Sequence, residues 1–226
     1  MPRLDKVLAQ YQLGSRKEVK ELIKSKHVLV NEKVITQDNF SIKANDEIQV
    51  GSFHFVYQEF VYLMMNKQKN RICSHDTNGL SIYDDLDLPY PKDLSSIGRL
   101  DKDTTGLLIL TNDGQLNHQI TSKHNQSIKR YLITLEKPYQ DQPLINIDLK
   151  EDGVVSAKRI EVIDLYHIIL GITDGKYHQV KRMIHSIGNE VLELHRVTIG
   201  SLVLDANLNP GETRALSKEE VLKLHG

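Results

Sequence analysis

The run Gly98-Arg99-Leu100-Asp101-Lys102-Asp103-Thr104-Thr105-Gly106-Leu107-Leu108-Ile109-Leu110-Thr111-Asn112-Asp113-Gly114 sets a cluster of charge at a turn and leads straight into four consecutive apolar residues. Bounded by Gly106 on one side and by Asn112, Asp113 and Gly114 on the other, that apolar block reads as a short core strand closed by a tight turn. The polar cluster before it is therefore pinned to the scaffold. An acid beside a cation on such a turn is held ionised and within reach, which makes Asp101 the first candidate for chemistry. An Asp ahead of Thr and Gly also has an ordinary use, bonding backbone amides within the turn.

The N-terminal region has a different texture. Leu4, Val7, Leu8 and Tyr11 fall on one face of a first helix, which Gly14 is placed to end. Ser15-Arg16-Lys17-Glu18 is a capping-box pattern opening a second helix, whose own stripe is Val19, Leu22 and Ile23. His27-Val28-Leu29-Val30, Asn31-Glu32 and Lys33-Val34-Ile35 then read as strand, turn, strand, followed by a strand at Glu47-Ile48-Gln49-Val50. Residues 1–50 thus form a small module, residues 51–59 a connection, and residues 60–226 a second domain. Residues 1–34 hold eight Lys or Arg against four Asp or Glu. Arg16, Lys17, Lys20 and Lys24 recur at helical spacing and can meet successive phosphates, although a solvated helix face has the same appearance.

The formal net charge of the 226-residue chain is -1, so any basic surface is local. A single cysteine, Cys73, excludes an internal disulfide and a cysteine-based zinc site, and fits a small buried hydrophobe in a reducing compartment. The ten histidines form no HExxH or tight His/Asp cluster, so no metal site is expected. The charged start Met1-Pro2-Arg3-Leu4-Asp5-Lys6 is unlike a signal peptide, and no apolar run approaches the ~18 residues of a membrane span, so a cytoplasmic protein is expected. Strand-like segments at Tyr131-Leu132-Ile133-Thr134-Leu135, Arg159-Ile160-Glu161-Val162-Ile163 and Tyr166-His167-Ile168-Ile169-Leu170, with a helix over residues 179–186, predict an α+β fold with a large mixed or antiparallel sheet.

The run from Gly98 to Gly114 closely resembles the signature of the RsuA family of RNA pseudouridine synthases, in which the Asp of Gly-Arg-Leu-Asp is catalytic. Three further segments follow that family's pattern in order: Lys129-Arg130-Tyr131; Gly175-Lys176-Tyr177-His178-Gln179-Val180-Lys181-Arg182-Met183; and His195-Arg196 with Ile199-Gly200, then Pro210-Gly211-Glu212 and Arg214. Residues 3–31 are similar to the αL RNA-binding module shared by a small-subunit ribosomal protein, tyrosyl-tRNA synthetase and many RsuA-type enzymes.

The resemblance implies the pseudouridine synthase fold with a central cleft, and an isomerisation of uridine that requires no redox cofactor, nucleotide or metal. By position, Asp101 is the catalytic carboxylate, Lys181 its basic partner and Tyr131 the ring lying against uracil. Arg99 fills the space that an extruded nucleotide leaves. Whether the aspartate adds to the base, attacks the sugar or promotes elimination stays open; every route needs it unprotonated. Arg3, Lys6, Arg16, Lys17, Lys20 and Lys24 would contact RNA. Without the family, Tyr131 is equally a core strand tyrosine, and Lys181 with Arg182 an ordinary basic helix.

The short N-terminus and absence of basic tails look more like the small-subunit (16S) enzymes, which implies uridine 516 of 16S rRNA as target, than like their large-subunit (23S) relatives. The expected partner is ribosomal RNA, naked or in a partly assembled small subunit, met by a monomer. The chain departs from the family at Gln68-Lys69-Asn70-Arg71-Ile72-Cys73-Ser74, where Pro-x-Gly usually follows Asn66-Lys67; this implies a differently shaped loop. Two other classes share some of these features. A non-catalytic ribosome-assembly factor would keep the basic face and have no need of Asp101, Tyr131 and Lys181 together, and a small-molecule hydrolase would have no use for the αL-like module.

Overall fold

The computed structural model describes residues 1–75, 78–86, 90–122 and 127–225. The chain divides into two compact units: Met1–Val61 with Leu86–Ser95 and Thr111–Asp113, and Tyr62–Asp85 with Ser96–Leu110 and Gly114–Gly226.

In the first unit, α1 (Leu4–Gln10) and α2 (Arg16–Lys24) pack on an antiparallel sheet of β1 (Val28–Val30), β2 (Lys33–Val34), β3 (Glu47–Val50) and β4 (Phe53–Val56), in the order β2-β1-β3-β4. The apolar stripes read from the sequence are the core: Leu4, Val7, Leu8 and Tyr11 of the first helical segment meet Val19 and Ile23 of the second. The capping box forms, with Glu18 Oε2 accepting from the Ser15 amide at 2.7 Å and Ser15 Oγ accepting from the Glu18 amide at 3.4 Å. Asn31 and Glu32 both adopt positive φ, 49° and 64°, the geometry of a two-residue hairpin turn. The stretch 51–59, expected as a connection, instead contains β4. Its Phe55 side chain points inward and stacks on Tyr11 with ring centroids 4.4 Å apart. With only Phe55 of its four residues buried, β4 lacks the alternation of β3 and does not outweigh the Gly51 signal beside it.

The second unit is built on a nine-stranded sheet. In chain order its elements are β5 (Tyr62–Lys67), β6 (Ser95–Ile97), β7 (Thr105–Thr111), α3 (Gly114–Thr121) and β8 (Lys129–Leu135). A small separate hairpin of β9 (Ile147–Asp148) and β10 (Val154–Val155) follows. After it come β11 (Arg159–Val162), β12 (His167–Ile172), α4 (Gln179–Ser186), β13 (Val191–Ile199), β14 (Leu202–Val203), β15 (Thr213–Ala215) and α5 (Lys218–Leu222). The strands lie in the order β11-β12-β8-β13-β7-β5-β15, with β6 on β7 and β14 on β13. The sheet is mixed, because β13 runs parallel to β7 while β8, β12 and β11 continue antiparallel. Helix α3 begins at the expected Asn112-Asp113-Gly114 turn, and α4 occupies the predicted residues 179–186. No helix among the described residues is long and apolar enough to cross a membrane.

The strand predicted from residues 107–110 is the middle of β7, fully buried. Gly106, at φ +98°, sits directly against β13: a Cβ there would lie 2.4 Å from the Arg196 carbonyl oxygen and 2.8 Å from its nitrogen. Both the backbone conformation and the contact demand glycine. Gly106→Ala is expected to lower unfolding stability by about 3 kcal/mol, measured from the urea midpoint. Gly114→Ala, whose Cβ meets open space, serves as the neutral control.

Candidate active site

Asp101 lies in the turn between β6 and β7, and a buried cation shapes that turn. Lys67, the last residue of β5, has no solvent exposure. Its ammonium donates to the carbonyl oxygens of Thr104 at 2.8 Å, Asp101 at 3.1 Å, Gln68 at 3.2 Å and Lys102 at 3.3 Å. Burial pulls the Lys67 pKa below the ordinary lysine value, and the acidic groups of Cys73, Asp103 and Asp101 act in the opposite direction. Four converging carbonyl dipoles stand where water would otherwise solvate the charge. A second buried cation, Arg196, bonds the Leu107 carbonyl at 2.7 Å and reaches the Gly98 carbonyl at 3.5 Å. The segment is thus anchored on both sides of Asp101.

The Asp101 carboxylate faces two bases through Oδ2, with Lys181 Nζ and His178 Nε2 each 3.6 Å away. Among the described residues, Oδ1 accepts no hydrogen bond. The closest bonds of Lys181 go instead to Asp103, at 2.7 and 2.8 Å. Partial burial opposes ionisation of Asp103, but these bonds and the Lys181 charge outweigh it and hold the carboxyl below its usual range. Lys181 therefore supplies charge to Asp101 without occupying its oxygens.

These groups line an open cleft of about 590 Å³, walled by residues 98–102, by Tyr131 on β8 and by residues 175–181. Tyr131 is only 8% exposed, so it is at once a core strand residue and part of the cleft wall. Arg99 is exposed on the same wall. Arg99 and Asp101, Tyr131, and Lys181 are therefore brought to one concavity from three separate parts of the chain. In the first unit, Arg3, Lys6, Arg16, Lys17 and Lys20 surround a second concavity of about 550 Å³ together with Asp5. Arg3 and Lys20 are tied to Asp5 and Asp38, whereas Lys6, Arg16 and Lys17 form no ion pair among the described residues. Lys24, at the far end of α2, is not among the lining residues.

Residues 61–186 match the model of the RNA pseudouridylate synthase family, and residues 2–48 match the S4 domain. The chain belongs to the RNA pseudouridylate synthase family. Its curated relatives include the "Ribosomal small subunit pseudouridine synthase A" proteins of Haemophilus influenzae, 38% identical over 98% of this chain and 99% of that one, and of Escherichia coli K12, 39% identical over 97% and 98%. A solved structure described as a pseudouridylate synthase superposes with a TM-score of 0.69 at 37% identity, covering 99% of this chain and all of the other.

Within this pseudouridylate synthase, the departure at residues 68–74 has a local explanation. Asn70 takes the backbone conformation that glycine usually provides, φ +67°, which Asn tolerates better than most residues. Its amide then donates to the Lys102 carbonyl at 2.8 Å, tying this loop to the Asp101 turn. Sequence reasoning gives no role to Lys67 or Asp103, and leaves His178, like Tyr177, unassigned between a turn and an RNA contact. The available signal for Lys67 was a lysine closing the apolar run Tyr62-Leu63-Met64-Met65, a position that predicts burial and hence a dedicated set of acceptors.

Replacing Lys67 with Met keeps the volume and removes the ammonium: the Asp101 and Lys102 carbonyls keep the Thr104 and Asn70 amides as donors, while those of Gln68 and Thr104 lose the Lys67 donor. Lys67→Met is expected to cost about 3 kcal/mol of stability in urea unfolding. At a temperature where the variant remains folded, it should also lower kcat, because the turn that carries Asp101 relaxes.

Proposed function

We propose that this protein converts one uridine of small-subunit ribosomal RNA to pseudouridine, with Asp101 as the catalytic group. The observation that carries this reading is the Asp101 carboxylate, flanked by Lys181 and His178 and open on Oδ1, in a cleft that also holds Tyr131. In the isomerisation the bond from ribose C1′ to uracil N1 breaks, the base turns, C5 bonds to C1′, and the C5 proton is lost while N1 gains one. A negatively charged oxygen in a site that excludes competing water serves each route to that outcome. Lys181 sets a positive charge 3.6 Å from Asp101, Tyr131 offers an aromatic wall to the uracil, and Arg99 fills the gap left by the extruded nucleotide.

Residues 1–50 serve as the RNA-docking module. Lys6, Arg16 and Lys17 are the cations free to meet phosphates, with Arg3, Lys20 and Lys24 supporting them. The names of the relatives support the small subunit as substrate, and the resemblance selects uridine 516 of 16S rRNA. In this reading the protein acts as a monomer in the cytoplasm, on ribosomal RNA or a partly assembled subunit.

In cells lacking the native gene, Asp101→Asn is expected to leave uridine 516 unmodified by primer-extension mapping, while the purified variant binds RNA within about threefold of wild type. Undiminished pseudouridine from that variant would overturn the assignment. Separately, the double variant Arg16→Gln with Lys17→Gln should bind RNA more weakly. The slope of log affinity against log salt should fall by roughly 1.5, with modification at saturating RNA retained.

A further inference from the structure

We propose that Tyr177 and His178 form a stacking platform for a base next to the target uridine in the RNA strand; the proposal rests on the uridine-isomerising reading above. The two rings lie face to face, with centroids 3.8 Å apart and planes inclined by 19°. The rings belong to sequence neighbours. They stack at a residue in the left-handed region, His178, with φ 47° and ψ 32° at the N-terminus of α4. A non-glycine residue held in that region is a local strain maintained by its surroundings. The turn beneath is rigid: the buried Gln179 side chain accepts from the Lys176 amide at 3.0 Å, and Arg182 Nη1 donates to the Tyr177 carbonyl at 3.2 Å. The platform is therefore built before any ligand arrives, which reduces the ordering cost of binding.

Tyr177 is 72% exposed, with one face on His178 and the other available. It stands on the wall of the Asp101 cleft. His178 and Lys181 line that cleft and also a neighbouring concavity of about 470 Å³ that contains Lys150, Arg182 and His185. The stacked rings thus stand on a ridge between two concavities. Of the bases around it, Lys181, Arg182 and His185 are paired with Asp103, Asp152 and Glu190. Lys176 on the cleft side and Lys150 on the other form no ion pair among the described residues.

A strand crossing the ridge meets an unpaired ammonium, an aromatic face and a second unpaired ammonium, which matches phosphate, base and phosphate. Extruding a nucleotide leaves its neighbours without a stacking partner on one side, and an aromatic face replaces it. Because every base has a π-face, the platform recognises an unstacked neighbour more than a particular letter.

The test uses the full-length chain carrying Asp101→Asn and a small-subunit rRNA fragment containing the target uridine. Each nucleotide flanking that uridine is replaced in turn by an abasic site. With Tyr177 present, one abasic position is expected to weaken binding roughly tenfold. With Tyr177→Ala the same position should cost less than about twofold, and Tyr177→Trp should restore the sensitivity. Equal abasic penalties with and without Tyr177 would overturn the platform. Conversion of the unsubstituted fragment by the wild-type chain is measured alongside. Conversion with equal penalties removes the platform alone, whereas absence of conversion of both the fragment and a partly assembled small subunit removes the functional reading beneath it.

Discussion

A single buried ammonium, that of Lys67, closes the turn on which Asp101 stands. Carbonyl groups pointing into the protein around residues 101–104 would be costly without a donor, and no backbone amide can satisfy several of them from one point. A lysine at the end of β5 does so, and the arrangement constrains much else. It fixes where β5 must end relative to β7, and it gives the loop at residues 68–74 its neighbour, through the bond from Asn70 to Lys102. Arg196 performs the matching task at Gly98, and its own backbone lies so close to β7 that residue 106 has no room for a side chain.

The charges above this foundation are arranged with a division of labour. Asp103 takes the hydrogen bonds of Lys181, so that Asp101 feels a cation at 3.6 Å without being locked to it. A carboxylate engaged through short bidentate bonds would be stable and inert. One that is electrostatically supported but unbonded on Oδ1 keeps its lone pairs for a ligand. His178 adds a second basic group on the same side and also bears the ring stacked on Tyr177, so the charge around Asp101 and the aromatic surface of the ridge depend on one backbone turn.

Much of this was legible in the sequence because it rests on local patterns. The helix stripes of the first unit, the Ser15–Glu18 capping box, the Asn31-Glu32 turn and the helix at residues 179–186 all follow from spacing and short-range bonding. The juxtaposition of Asp101, Tyr131 and Lys181 could be named from family likeness, since periodicity carries no information about which strands become neighbours. What escaped was non-local or weakly patterned. β4 follows Gly51 and buries only Phe55, without the alternation that marks β3, and α3 follows a turn signal that masks its start. The partners of Lys67 are backbone carbonyls, which leave no trace in side-chain identity. The pairing of Asp103 with Lys181 joins residues 78 apart in the chain.

The first unit's concavity carries its own counterions. Asp5 and Asp38 neutralise Arg3 and Lys20 from within, so a polyanion arriving there must compete with resident carboxylates and cannot claim the full positive charge. Such a surface favours brief occupancy. A catalyst that must release one RNA before meeting the next gains from docking of this kind.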